Sequence, residues 1–140
     1  GLQRSAQIIT PAQNIAEGYR AAGKCDVIIA DEAQFFTPEQ IDQLREIVDD
    51  EDIPVLCFGL RTDFLTHCFP GSKRLLELAD SITEIKTVCA CGHKATVNAR
   101  IGEDGRIVTQ GDQVFLGGND SYIAMCHKCW ADKIRAQQQE

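Results

Sequence analysis

The 140-residue chain contains no run of 18 apolar residues, so nothing in it is long and apolar enough to cross a bilayer as a helix. Its opening residues, Gly1-Leu2-Gln3-Arg4-Ser5, lack the basic-then-apolar pattern of a secretion signal. Positive charge is also short. Fourteen Lys and Arg stand against 21 Asp and Glu, a net charge of −7. That argues against a broad nucleic-acid surface, which needs clustered cations, while leaving room for one basic pocket. There is no internal repeat, and only Gln137-Gln138-Gln139 is low in complexity. With 44% hydrophobic residues the chain has enough apolar side chains for a core, which excludes wholesale disorder. These absences leave a globular protein with no membrane span and no nucleic-acid partner.

Cysteine is what the chain has in plenty. Of seven, Cys25, Cys57 and Cys68 are scattered, whereas Cys89, Cys91, Cys126 and Cys129 form two tight pairs with 34 residues between Cys91 and Cys126. An odd total with paired spacing fits a reduced, cytoplasmic protein with a metal site better than a disulfide scaffold. Four thiolates in two close pairs suit tetrahedral zinc, and a shell closed by four protein ligands makes the zinc structural. Four reduced buried cysteines, or two disulfides, are the plainer alternatives. His93 and His127 stand beside the pairs as substitute ligands.

Along the chain, Thr10-Pro11 reads as a helix start, with Ile15, Tyr19 and Ala22 on one face and Gly23 as the stop. Residues 25–30 read as a buried strand that ends in Asp31-Glu32. Thr37 and Gln40 have capping-box spacing, opening a helix whose inward stripe is Ile41, Leu44 and Val48. Residues 53–60 read as a second buried strand, 72–79 as a short helix and 82–88 as a third strand. Strand–helix alternation predicts an α/β fold with an open, mostly parallel sheet. Beyond residue 88 come the cysteine pairs and a Gly102-Glu103-Asp104-Gly105 hairpin turn. The expected organisation is a partial α/β core over 1–88, a zinc-stapled β lobe over 89–130 and a polar, frayed helical tail over 131–140.

An apolar strand that ends in Asp31-Glu32 is a candidate for holding magnesium near phosphates and for accepting a proton from a hydroxyl. Capping the next helix is the structural alternative. Leu60, Arg61 and Phe64 follow the second strand and are candidates for a pocket wall, or for an ordinary connection. Gly117-Gly118 before Tyr122 would let backbone approach a ligand, or would simply turn.

Taken in order, DEAQFF (31–36), PVLCFGLRTDF (54–64), TVCACGHKA (87–95), VFLGGNDSY (114–122) and CHKC (126–129) resemble the zinc-containing, human-cytosolic-type class of thymidine kinases, with its bacterial members nearest. The resemblance runs from Cys25 to Trp130. It implies a P-loop-kinase-like sheet with a zinc-stapled lobe, and phosphoryl transfer from Mg-ATP to the 5′-hydroxyl of thymidine. It further implies Glu32 as general base and Asp31 as the magnesium-linked carboxylate. Asp31, Glu32, Ala33 and Gln34 correspond to a nucleotide-contacting segment. Leu60 and Phe64 would enclose thymine and deoxyribose, Asn98 would lie near the thymine methyl, and Phe115, Gly117 and Tyr122 would cover the base. Arg100 would begin a flexible loop over the nucleoside. Zinc would sit on Cys89, Cys91, Cys126 and Cys129, and the assembly would be a homotetramer.

One family feature does not appear in the 140 residues: the Gly-rich loop ending in Gly-Lys-Ser or Gly-Lys-Thr that cradles ATP phosphates. Gly23-Lys24-Cys25 has neither the upstream glycine nor the hydroxyl. The chain is therefore expected to be a fragment that turns over little or nothing alone. A kinase for another nucleoside, such as deoxyuridine, and a non-enzymatic zinc ribbon are the competing readings.

Overall fold

The computed structural model describes residues 5–114 and 118–140. Contacts divide the chain into two compact units, one taking the chain up to Gly59 together with Pro70–Asp80, the other Leu60–Phe69 with Ser81–Glu140.

In the first unit, helix α1 (Ile15–Ala22) begins where Asn14 accepts a hydrogen bond from the Glu17 amide at 3.0 Å, and it stops at Gly23, whose φ of 93° an L side chain would resist. The start expected at Thr10-Pro11 is displaced. Those residues form a turn, closed by the Gln13 amide donating to the Thr10 carbonyl at 3.0 Å, so Asn14 becomes the cap. Strand β1 (Ile28–Ala30) lies parallel to β2 (Val55–Cys57), in register Ile28 with Val55 and Ala30 with Cys57. Both are shorter than the apolar runs around them. Helix α2 (Pro38–Glu51) opens with the expected reciprocal capping box: Thr37 Oγ1 accepts from the Gln40 amide and Gln40 Oε1 accepts from the Thr37 amide, each at 3.1 Å. It buries Gln40, Ile41, Leu44 and Ile47, whereas Val48 is only half-buried. The Gln40 Nε2 group donates to the carbonyls of Thr10 and Gln13, so the buried amide is satisfied and the 10–13 turn is tied to α2. Helix α3 (Pro70–Leu78) packs on α2, with Arg74 Nε 2.7 Å from Asp42.

In the second unit, β3 (Thr87–Val88) pairs antiparallel with β4 (Lys94–Ala95), and β5 (Val97–Ile101) with β6 (Ser121–Met125). Helix α4 (His127–Gln138) follows β6 directly, so it starts inside the second cysteine pair and absorbs the tail expected over 131–140. The hairpin turn at 102–105 is present, with the Gly102 amide donating to the Arg106 carbonyl at 2.9 Å and a bridge between Ile101 and Ile107. A core of Cys89, Val97, Ala99, Ile107, Met125 and Cys126 packs against Ile101, Trp130 and Ile134.

The third core strand expected over 82–88 is not formed. Only Thr87–Val88 is strand, and it pairs locally with β4 rather than with β2, while Ile82, Ile85 and Val88 are exposed. The Cys89–His93 turn sends the chain back so that only the end of this segment, Thr87–Val88, pairs, and it does so with Lys94–Ala95. Among the described residues the fold is thus mixed α/β: one parallel pair, two small antiparallel pairs, four helices and a cysteine cluster. None of those helices is long and apolar enough to cross a membrane.

Candidate active site and metal centre

The carboxyl end of β1 makes a tight corner. The Phe58 amide donates to the Ala30 carbonyl and the Ala33 amide to the Phe58 carbonyl, both at 2.9 Å, so the chain is pinned on each side of Asp31-Glu32. Glu32 must then turn through left-handed backbone, with φ 51° and ψ 42°, before a single 3₁₀ turn at Ala33–Phe35. A non-glycine residue in that region is uncommon, and such strain collects at functional sites. The Asp31 carboxylate accepts from the Glu32 amide at 2.9 Å. One Glu32 oxygen accepts from Gln34 Nε2 at 2.6 Å. Asp31 and Glu32 are exposed, whereas Ala33 and Gln34 are buried. Exposed carboxylates thus stand on a buried, hydrogen-bonded footing.

Two glycines let that corner exist. A Cβ on Gly59 would lie 2.5 Å from Gln34 Oε1 and 3.0 Å from the Gln34 amide nitrogen. A Cβ on Gly71 would run into the Phe36 carbonyl oxygen and lie 3.0 Å from that of Gln34. The sequence does not mark either glycine as a support of this corner, and Gly71 lies in the first turn of α3.

The second unit gathers Phe64, Asn98, Arg100 and Tyr122. In β5 and β6, Asn98 faces Ala124 and Arg100 faces Tyr122, so these four residues share one side of the sheet, opposite the side that buries Val97 and Ala99. The Arg100 guanidinium lies 3.7 Å from the Phe64 ring centroid and 5.6 Å from that of Tyr122. Arg100 is 2% exposed and sits within β5. It is a buried part of the sheet, not the beginning of a flexible loop as the resemblance suggested. Leu60 is exposed at the start of the 60–69 segment. Phe115 and Gly117 lie outside the described residues.

The four paired cysteines converge, with all four sulfurs within 4.8 Å of one another and Cys91 Sγ 3.6 Å from Cys126 Sγ. Zinc–sulfur bonds of about 2.3 Å in a tetrahedron require sulfurs about 3.8 Å apart, so the quartet fits that ion. Its geometry comes from two local devices. Between β3 and β4 the Cys89 amide donates to the His93 carbonyl and the Gly92 amide to the Cys89 carbonyl, each at 2.8 Å, with Gly92 at φ 93°. At the other end, Cys126 caps α4 and its sulfur accepts from the Cys129 amide at 3.4 Å. Backbone hydrogen bonds from Cys91 and Cys126 draw the Cys89 thiol down to about 6. Hydrogen bonding with the Cys126 and Cys91 sulfurs pushes Cys129 up to about 12. Crowded thiols cannot all ionise unaided; a dication among them would remove that conflict. Cys89 and Cys126 are buried, so the site belongs to this unit's core. His93 Nδ1 is 3.3 Å from Cys91 Sγ, beside the quartet.

The family profile of thymidine kinase matches residues 2–130. The chain belongs to the thymidine kinase family. Among curated thymidine kinases, that of Ruegeria pomeroyi is 45% identical over 135 residues, covering 94% of this chain and 68% of the relative. That of Yersinia pseudotuberculosis is 50% identical over 109 residues, covering 78% and 56%. That of Legionella pneumophila is 55% identical over 105 residues, covering 75% and 50%. The chain therefore spans between half and about two-thirds of these thymidine kinases. The profile takes in both the strained Glu32 corner and the cysteine quartet.

Proposed function

We propose that the full-length protein transfers a phosphoryl group from Mg-ATP to the 5′-hydroxyl of thymidine, with Glu32 as the general base. The observation that carries this reading is the corner at Asp31–Gln34: a carboxylate at a parallel strand's carboxyl end, held in left-handed backbone and oriented by the Gln34 amide. Phosphoryl transfer asks the protein mainly for positioning and charge stabilisation, together with a group that accepts the hydroxyl proton. In this reading Asp31 serves the magnesium and Asp31–Gln34 contact the nucleotide. Leu60 and Phe64 enclose the nucleoside, Asn98 lies near the thymine methyl, and Phe115, Gly117 and Tyr122 cover the base. Zinc on Cys89, Cys91, Cys126 and Cys129 holds its own unit together and takes no part in the chemistry. A cytoplasmic homotetramer, which the resemblance implies, completes this proposal.

The test uses the full-length protein. Thymidine at about a hundredfold above its Kd adds roughly 2.7 kcal/mol to apparent stability, which a thermal shift detects. Glu32→Gln lowers kcat by about 10²-fold or more while nucleoside affinity stays near wild type. Near-normal turnover in that variant, or stabilisation by deoxyuridine but not thymidine, overturns the reading.

A further inference from the structure

Arg100 is the largest fully buried side chain described, and a guanidinium keeps its charge when buried. It must therefore spend its donors on the protein. Nε donates to the Tyr122 hydroxyl oxygen at 3.0 Å, and Nη2 donates to the carbonyls of Asp112 and Gln113 at 3.1 and 3.4 Å. The planar group also covers the Phe64 ring. Asp63, 6% exposed, works from the other side. Its Oδ1 accepts from the amides of Leu65 and His67 at 2.8 and 3.0 Å, fixing the turn that carries Phe64. Its Oδ2 accepts from Gln113 Nε2 at 2.9 Å. Gln113 is thus held twice, by its carbonyl on Arg100 and by its side chain on Asp63. Gly111 lies beside them at φ 137°, a backbone conformation that L side chains resist; a Cβ there would make only ordinary contacts, 3.5 Å from Arg100 Nη1 and 3.9 Å from Phe64 Cζ.

We propose that Asp63, Arg100 and Gln113 form a clasp that sets Phe64, Tyr122 and the backbone of residues 111–114 in place before nucleoside arrives. They are positioning residues; the inference rests on the reading above of Phe64 and Tyr122 as nucleoside contacts. The Tyr122 hydroxyl accepts from Arg100, so its own hydrogen is left to donate elsewhere. Residues 111–114 lead in sequence straight into Phe115 and Gly117. Ordering such a segment in advance removes part of the entropy that binding must otherwise supply.

Charge exchange tests the clasp in the full-length protein. Q113E sets a second carboxylate against Asp63. D63N/Q113E restores a donor–acceptor pair, because the new amide nitrogen donates to the new carboxylate while its oxygen still serves Leu65 and His67. Q113E is expected to raise KM and Kd for thymidine about tenfold, with kcat and KM for ATP within about twofold of wild type. Zinc content stays unchanged, and amide exchange across 108–114 quickens. D63N/Q113E reverses both the affinity and the exchange effects. Wild-type exchange in Q113E, no recovery in the double variant, or faster exchange with unchanged thymidine affinity overturns the proposal. If wild-type protein takes no thymidine, the reading of the function falls, and the exchange measurements alone decide whether the clasp exists.

Discussion

At the scale of single residues, the centre of interest is the bond between Gln34 and Glu32. Gln34 is 3% exposed, so its amide is built into the interior and holds the Glu32 carboxylate from below at 2.6 Å. If Glu32 is the base, as proposed, replacing Gln34 changes that base without touching it. Gln34→Ala should lower kcat about tenfold, because Glu32 loses orientation rather than chemistry. Gln34→Glu removes the amide donor and sets a second acidic group beside Glu32, so it should lower kcat at least as far. Unchanged turnover in both variants would remove Gln34 from this role.

At the scale of elements, α2 and the corner beneath it make separable demands. Thr37→Ala removes one arm of the capping box and should cost about 1 kcal/mol of stability in urea unfolding, with kcat unchanged. Gly71→Ala should cost about 2 kcal/mol or more and also depress turnover, because its new methyl meets the Phe36 carbonyl under the Asp31–Gln34 segment. Equal effects of the two on activity would show that the corner does not depend on Gly71. Sequence disclosed the first device and hid the second for a physical reason. A capping box is written in residues three apart, whereas Gly71 matters through a carbonyl 35 positions away in the chain. The same distinction runs through the fold. Gly23, the hairpin turn at 102–105 and the cysteine pairs are local signals and are found where expected. The apolar segment 82–88 carries no local mark of its partner, and the Cys89 turn pairs its end with β4. Arg100 is harder still. A lone arginine in a strand reads as exposed, and Phe64, Tyr122, Asp112 and Gln113, from separate parts of the chain, help to make its burial tolerable.

At the scale of the molecule, the question is what the second unit has to stand on. Among the described residues its buried apolar side chains are Cys89 and Cys126, both candidate zinc ligands, with Phe64, Phe69, Val97, Ala99, Ile107 and Met125. Small cores of this kind gain little from apolar burial alone. Structural zinc contributes about 10–16 kcal/mol of apparent binding free energy, against about 5–15 kcal/mol for the whole stability of an ordinary domain. Losing the metal should therefore exceed anything the apolar contacts can offset. Cys129→Ser is expected to abolish stoichiometric zinc, read by atomic emission, and to expose residues 81–140 to limited proteolysis. Chelation under reducing conditions should do the same to the wild-type protein, and added zinc should reverse it. Glu32 belongs to the other unit. Glu32→Gln should therefore leave zinc content and proteolytic resistance intact while removing turnover, so the two variants separate a stabilising metal from the proposed catalytic role of Glu32. A metal-stripped protein that keeps its melting temperature and its resistance to protease would show that the quartet is not what holds this unit together.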